Sequence, residues 1–249
     1  MKIFFICLIT GIAAQLIDGT LGMAYGVTCS TLLRAMGIPS AMSSFCVHLA
    51  EMFTTLASGI SHFKMKNIDR GLFLRLIFPG IIGGVLGAYV LTEFDDSIIS
   101  PIVSGYLIVM GIVVFLKVFR KKEKEPKKLG AAIYPIAFVG GFSDSLGGGG
   151  WGPVVTSTLV AADCDVKSTI GSVNSAEFFV TVAESAAFIL TLGSITEYLP
   201  AVIGLILGGV VTAPFSAFLC RKLPVKPLIG AVGLLIIGVN TWKLITALT

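Results

Sequence analysis

Charged residues are scarce in this chain. Only 13% of its 249 residues are Asp, Glu, Lys or Arg, and 55% are hydrophobic, whereas a soluble domain has about 25% charged residues. The chain therefore lacks the polar surface of a soluble protein, and we predict an integral membrane protein. Several apolar runs are long enough to cross a hydrocarbon core about 30 Å thick as a helix, among them 98–116, 198–219 and 228–245. These runs lack the alternating pattern of barrel strands.

The motifs of common enzymes and metal sites are also missing. The five cysteines form no CxxC pair, and neither histidine has a second one at ligand spacing. No GxSxG, HExxH or GxxxxGK[ST] motif occurs. We therefore expect no enzyme activity, no metal and no cofactor. The net charge of +4 comes from basic residues in loops, which membrane topology explains better than nucleic-acid binding does.

The two halves of the chain repeat each other. DGTLGMAYG (18–26) and DSLGGGGWG (144–152) align acid with acid and glycine with glycine at an offset of 126 residues. At the same offset, AEMFTT (50–55) falls on AEFFVT (176–181), with four identities in six positions. We predict an internal duplication with a first membrane repeat at 1–118, a basic linker at 119–130 and a second membrane repeat at 131–249.

Each repeat contains about five hydrophobic segments, and a glycine-rich break separates the first two. An odd number of crossings gives the repeats opposite orientations, whether those first segments span the membrane or re-enter it as a hairpin. A single broken helix made from both segments would leave four crossings and orient the halves in parallel, and loop charge decides between these cases. The positive-inside rule places the basic linker in the cytoplasm and the acidic loop 92–97 outside. We predict an all-α protein of two inverted-topology repeats in the cell (inner) membrane, with broken or re-entrant helices at the start of each repeat.

The glycine-rich breaks are the strongest candidate for a binding site. A helix that starts after a break directs free N–H groups and its positive dipole end at the break, which suits an anion. Interrupted segments at matching positions of inverted repeats point to a transporter's midplane site. Close helix packing is the alternative, and we prefer it for the scattered glycines 83, 84, 87, 208 and 209. The predicted substrate-binding residues are Gly22, Tyr25, Gly26, Gly147, Gly148, Gly149, Gly150, Trp151 and Gly152, with His48 and Asn174 on the adjoining helices.

Acidic residues inside the predicted membrane segments are the candidates for ion coupling. Glu51 and Glu177 are equivalent by the repeat, and Glu184 lies on the same helix face as Glu177. Carboxyl groups at membrane depth face a cavity or a partner, and they can load and release a proton. The alternative for both glutamates is a structural role. Asp18 and Asp144 either couple ions or cap the helix after each break.

The sequence resembles the sulfite exporter TauE/SafE family, also called the toluenesulfonate uptake permease family. The resemblance covers nearly the whole chain and is carried by GIAAQLIDGTLGMAYGV (11–27) and VGGFSDSLGGGGWGPVV (139–155). It implies transport of small sulfur-containing anions, such as sulfite, sulfoacetate or other organosulfonates, coupled to a gradient of protons or sodium. The first copy departs from the family's glycine-rich pattern at Met23 and Ala24.

We therefore predict a proton-coupled secondary transporter of such anions that works by alternating access. A passive anion channel is the near alternative, and a non-transport membrane subunit or an intramembrane enzyme are alternatives from other classes. The expected partners are the anion, the coupling ion and membrane lipid, with no nucleic acid.

Overall fold

The computed structural model describes residues 2–21, 23–116, 119, 130–162, 164–193, 195–219 and 225–248. These residues form ten α-helices and no strand. The helices of the first half are α1 (Lys2–Leu21), α2 (Tyr25–Ala35), α3 (Ser40–Lys64), α4 (Arg70–Glu93) and α5 (Asp96–Leu116). Those of the second half are α6 (Ile133–Gly147), α7 (Ser157–Ala161, which continues a π-helical turn over Gly152–Thr156), α8 (Val166–Leu192), α9 (Leu199–Leu219) and α10 (Val225–Leu248).

The surface and the helix lengths are those of a multi-pass membrane protein. Large apolar side chains face outward along the helices, with Leu190 86% exposed and Phe78 72% exposed. Such a surface is stable in lipid and would aggregate in water. Among the residues that the structure describes, four segments are long and apolar enough to span a membrane, namely Arg70–Glu93, Asp96–Leu116, Lys167–Leu192 and Thr196–Ala213.

Aspartates define where two of the long helices begin. The Asp69 carboxylate accepts hydrogen bonds from the amides of Gly71 (2.8 Å) and Leu72 (3.1 Å) at the start of α4. Asp165 accepts one from the amide of Ser168 (2.8 Å) at the start of α8. These caps satisfy amides that have no intrahelical acceptor.

Several helix contacts occur in pairs that are related by exchange of the two halves of the chain. Helix α1 packs against α9, and α6 packs against α4, which is the equivalent pair when the halves are exchanged. The contact between α3 and α9 is likewise equivalent to the contact between α8 and α4. In two further contacts, α3 with α8 and α5 with α10, each helix packs against its own equivalent in the other half. The scattered glycines allow these close approaches, because a Cβ at Gly83 would collide with the Phe138 carbonyl and one at Gly208 with the Leu8 carbonyl.

A buried arginine joins four helices beside the apolar core. Arg34, near the end of α2, is 1% exposed. Its guanidinium donates to Ser40 Oγ in α3 (3.2 Å) and to Asn240 Oδ1 in α10 (3.0 Å). It also donates to the Ser100 carbonyl in α5 (2.9 Å). Because all these acceptors are neutral, hydrogen bonds rather than ion pairs hold the four helices together here.

We expect Arg34→Met to lower the free energy of unfolding by on the order of 3 kcal/mol, because a buried acceptor that loses its donor costs about 1–3 kcal/mol. Thermal unfolding of the purified protein in detergent measures the effect. Arg75→Met is the matched control, since Arg75 is exposed on α4. An equal change in the two variants would contradict the structural role of Arg34.

Candidate functional site

The glycine-rich break of the second half is a left-handed turn held by one carboxylate. After α6, Gly148 (φ +66°) and Gly149 (φ +147°) adopt backbone conformations that favour glycine. The buried carboxylate of Asp144, in the last turn of α6, accepts hydrogen bonds from the amides of Gly150 and Trp151 (2.9 Å for Trp151). Asp144 therefore binds backbone amides at the point where the next helix begins.

The first break is built on the same plan. The amide of Tyr25, the first residue of α2, lies 3.4 Å from its acceptor, Oδ1 of Asp18. Ala24 directly before it has a φ of +97°, which is unusual for a residue other than glycine. Gly22 lies outside the described residues. The capping interpretation of Asp18 and Asp144 is therefore supported by a hydrogen bond in each half.

The two breaks touch each other. A Cβ added to Gly26 would lie 2.5 Å from the Cα of Gly149, so the two backbones are in direct contact. Near this contact, the Ser30 hydroxyl of α2 donates to the Gly147 carbonyl at the end of α6 (2.6 Å). The start of α2 and the end of α6 therefore form one junction.

A small polar cavity lies at this junction. It has room for about one water molecule. Four carboxylates line it, those of Asp18, Glu51, Asp144 and Glu177, and no Lys or Arg is among the described lining residues. The other lining residues are Met23, Ala24, Tyr25, Gly26, Val27, Gly149, Gly150, Gly152 and Pro153.

Most of the residues predicted from the sequence lie around this cavity. All four candidates for ion coupling line it. The candidates for substrate binding that line it are Tyr25, Gly26, Gly149, Gly150 and Gly152. The described candidates that do not line it are His48, Gly147, Gly148, Trp151 and Asn174.

The aromatic residues of the two motifs take different positions. Tyr25 lines the cavity, and its hydroxyl donates to the Leu205 carbonyl in α9 (2.9 Å). Trp151 is fully buried, with its ring against Gly80 and its Nε1 donating to the Val173 carbonyl (3.1 Å). Of these two aromatic residues, only Tyr25 is placed to contact a ligand in the cavity.

A histidine connects three carboxylates beside the cavity. His48 Nδ1 lies 3.1 Å from Glu51 Oε2 and 3.2 Å from Glu184 Oε2. The same nitrogen is 4.0 Å from Asp144 Oδ2, and Nε2 is 3.2 Å from the Asp144 backbone carbonyl. The imidazole also stacks on the Phe188 ring. An imidazole and carboxylates this close together can share a proton or hold a small cation.

The sequence analysis did not include Glu184 in the site. Its contact with His48 has a counterpart in the other half, where Asn174 Nδ2 donates to Ser58 Oγ (3.1 Å). The repeat offset equates His48 with Asn174 and Ser58 with Glu184, so the two contacts are equivalent. A position-by-position comparison of the two duplicated helix faces is the signal that would have found Glu184.

Nearly the whole chain is similar to known membrane proteins. The family model described as "Sulfite exporter TauE/SafE" matches residues 7–241. The "Probable membrane transporter protein YtnM" of Bacillus subtilis (strain 168) is 38% identical to this chain over an alignment of 252 residues. The alignment covers 98% of this chain and 84% of that protein. The matched region includes both breaks and both halves.

Proposed function

This chain belongs to the sulfite exporter TauE/SafE family, whose members are membrane transporters rather than enzymes, and on that premise we propose that it is a secondary transporter of small sulfur-containing anions. The proposed substrates are sulfite, sulfoacetate or other organosulfonates, bound where the two glycine-rich breaks meet. The observation that carries the proposal is the shared cavity at which a helix from each half begins.

Backbone amides of both breaks are the proposed ligands of the anion. First-turn amides have no intrahelical acceptor, and the positive end of the helix dipole points toward the same space. In this structure the carboxylates of Asp144 and Asp18 accept hydrogen bonds from such amides. An oxyanion makes the same hydrogen bonds as a carboxylate, so a substrate would displace these side chains.

The lining carboxylates support coupling to protons. Two unit charges of the same sign 4 Å apart repel by about 4 kcal/mol at an effective dielectric constant of about 20. A sulfite ion beside several ionised carboxylates is therefore disfavoured until these groups take up protons. Protonation of Asp144 also weakens its hydrogen bonds to the amides. We propose that Asp18, Glu51, Asp144 and Glu177 couple anion binding to proton binding, so that both cross in the same direction, with sodium as the alternative coupling ion.

We propose alternating access between two inverted repeats, 1–118 and 131–249, as the transport mechanism. The exchange of helix pairs between the halves supports this, because each repeat then packs on the other through equivalent surfaces. A site at the contact of the two repeats is exposed to either side when they rock against each other. In this proposal the protein lies in the cell (inner) membrane with the linker 119–130 in the cytoplasm.

Counterflow in proteoliposomes tests the transport proposal. Liposomes that contain the purified protein and unlabelled sulfite are diluted into a trace of labelled sulfite. A carrier takes up label above the equilibrium level for a time, because each exit of unlabelled sulfite returns the site to the outside. Sulfoacetate should compete, and chloride should not. Uptake only to equilibrium, together with a measurable anion current, would instead indicate a channel, and no flux of any sulfur-containing anion would contradict the substrate assignment.

A further inference from the structure

We propose that His48, Glu51 and Glu184 hold one shared proton, and that Glu184 is the second half's partner in this proton site. The site lies beside the cavity rather than in its lining, and the inference rests on the proposed proton-coupled transport.

The hydrogen bonding of His48 requires this proton. Nε2 faces a backbone carbonyl, which can only accept, so Nε2 carries a hydrogen. Nδ1 is then left to face Glu51 Oε2 and Glu184 Oε2 at 3.1 and 3.2 Å. In a neutral imidazole with two ionised glutamates, a nitrogen lone pair would face only oxygen lone pairs. One additional proton in the group converts this repulsion into a hydrogen bond.

A single proton at Nδ1 has two near-equivalent acceptors. The Nδ1–Glu51 contact has hydrogen-bond geometry, and Oε2 of the fully buried Glu184 lies 3.2 Å from the same nitrogen. The neighbouring Ser145 hydroxyl donates to the Gly84 carbonyl (2.7 Å). Glu184 is therefore a buried acceptor within reach of the His48 proton.

The charges around His48 come from acidic groups. Among the described residues, no Lys or Arg lies within ion-pair distance of these carboxylates, and every close ion pair in that part of the chain involves His48. A proton is thus the group's source of positive charge. The other titratable groups that surround the cluster, on α1, α2, α5, α6 and α8, are Asp18, Tyr25, Cys29, Tyr106, Asp144 and Glu177.

The proton site is one-sided. At the equivalent position of the other half, Asn174 and Ser58 form a neutral hydrogen bond that has no group able to take up a proton near neutral pH. Gly84 leaves room for Glu184, because a Cβ there would collide with the Glu184 carboxylate. One of the two equivalent contacts therefore carries the proton, and the other is a packing contact.

Proton transfer within the cluster needs no other reactant. When the Nδ1 proton of the imidazolium moves to Glu51, which lines the cavity, a neutral imidazole and a neutral carboxylic acid result. Transfer of the same proton to Glu184 gives a neutral imidazole and a neutral carboxylic acid on α8, in the second half. His48 thereby connects a carboxyl group of α3, which faces the substrate cavity, to one of α8.

Two variants of the protein in liposomes test this inference, Glu184→Gln and His48→Gln, with Ser58→Ala as the matched control. Three properties are measured: labelled-sulfite counterflow, sulfite accumulation under an inside-alkaline pH gradient, and the carboxyl C=O band in infrared difference spectra between two pH values. We expect Glu184→Gln to retain counterflow, because glutamine resembles a protonated glutamate, and to lose both accumulation and one carboxyl band. Ser58→Ala should retain all three.

The outcomes separate this inference from the proposed function. Wild-type accumulation in Glu184→Gln, or an unchanged infrared band, overturns it, and His48→Gln provides the same comparison if Glu184→Gln does not fold. A stoichiometric metal ion that the wild type retains and Glu184→Gln loses also overturns it, since the cluster would then be a metal site. If the wild type moves no sulfite but shows a carboxyl band that depends on Glu184, the proton site stands and the proposed function fails.

Discussion

Gly149→Ala is expected to abolish sulfite uptake and to destabilise the protein. Gly149 has a φ of +147°, and a Cβ there would lie 2.6 Å from the Cα of Gly26 and closer still to the following peptide. The backbone strain alone costs on the order of 1–3 kcal/mol, and the collision forces the two breaks apart. Because Gly149 lines the cavity, we expect counterflow to fall to the level of protein-free liposomes and the apparent melting temperature to decrease.

Gly105→Ala is the matched control for this prediction. A Cβ at Gly105, inside α5, meets nothing within 4 Å, and alanine is better than glycine in a helix by about 1 kcal/mol. Its transport and melting temperature should equal or exceed those of the wild type. If both alanine variants transport normally, the contact between the breaks is not required for function.

The double variant Glu51→Gln/Glu177→Gln is expected to lose gradient-driven accumulation of sulfite and to retain counterflow. Both carboxylates line the cavity, and glutamine mimics the protonated state that the anion needs. An anion can then bind and exchange, but no proton is released at the end of the cycle. Labelled-sulfite uptake with and without an inside-alkaline pH gradient measures the difference.

A double variant at exposed positions controls for the loss of two carboxylates. Glu93 and Glu197 are both exposed at helix ends, and Glu93→Gln/Glu197→Gln should accumulate sulfite like the wild type. Accumulation that persists in Glu51→Gln/Glu177→Gln would remove both glutamates from the coupling mechanism and leave their structural interpretation.

The helices were predictable because each long apolar run has a clear start and end. The predicted apolar runs 98–116 and 198–219 correspond to α5 and α9 within two residues at each end. Apolar content did not predict the end of α1, which continues past Asp18 to Leu21. Asp18 therefore lies in the last turn of α1, where its carboxylate accepts a hydrogen bond from the amide of Tyr25.

The location of the site was also predictable in outline, but its side-chain partners were not. The breaks and the acids before them were recognisable from composition and from the repeat. Helical periodicity, however, shows which side chains share a face and not which neighbouring helix that face meets. This is why Trp151, predicted to shape the pocket, lies instead against Gly80, and why the contact between His48 and Glu184 was not anticipated.

Accumulation of labelled sulfite in wild-type proteoliposomes tests the central claim, proton-coupled transport of a sulfur-containing anion, most directly. An inside-alkaline pH gradient is imposed at fixed membrane potential, and uptake is compared with that in equal pH and in the presence of a protonophore. The account predicts internal sulfite above its electrochemical equilibrium under the gradient alone, and a return to equilibrium when the protonophore is added. Uptake to the same equilibrium level under all three conditions would contradict it.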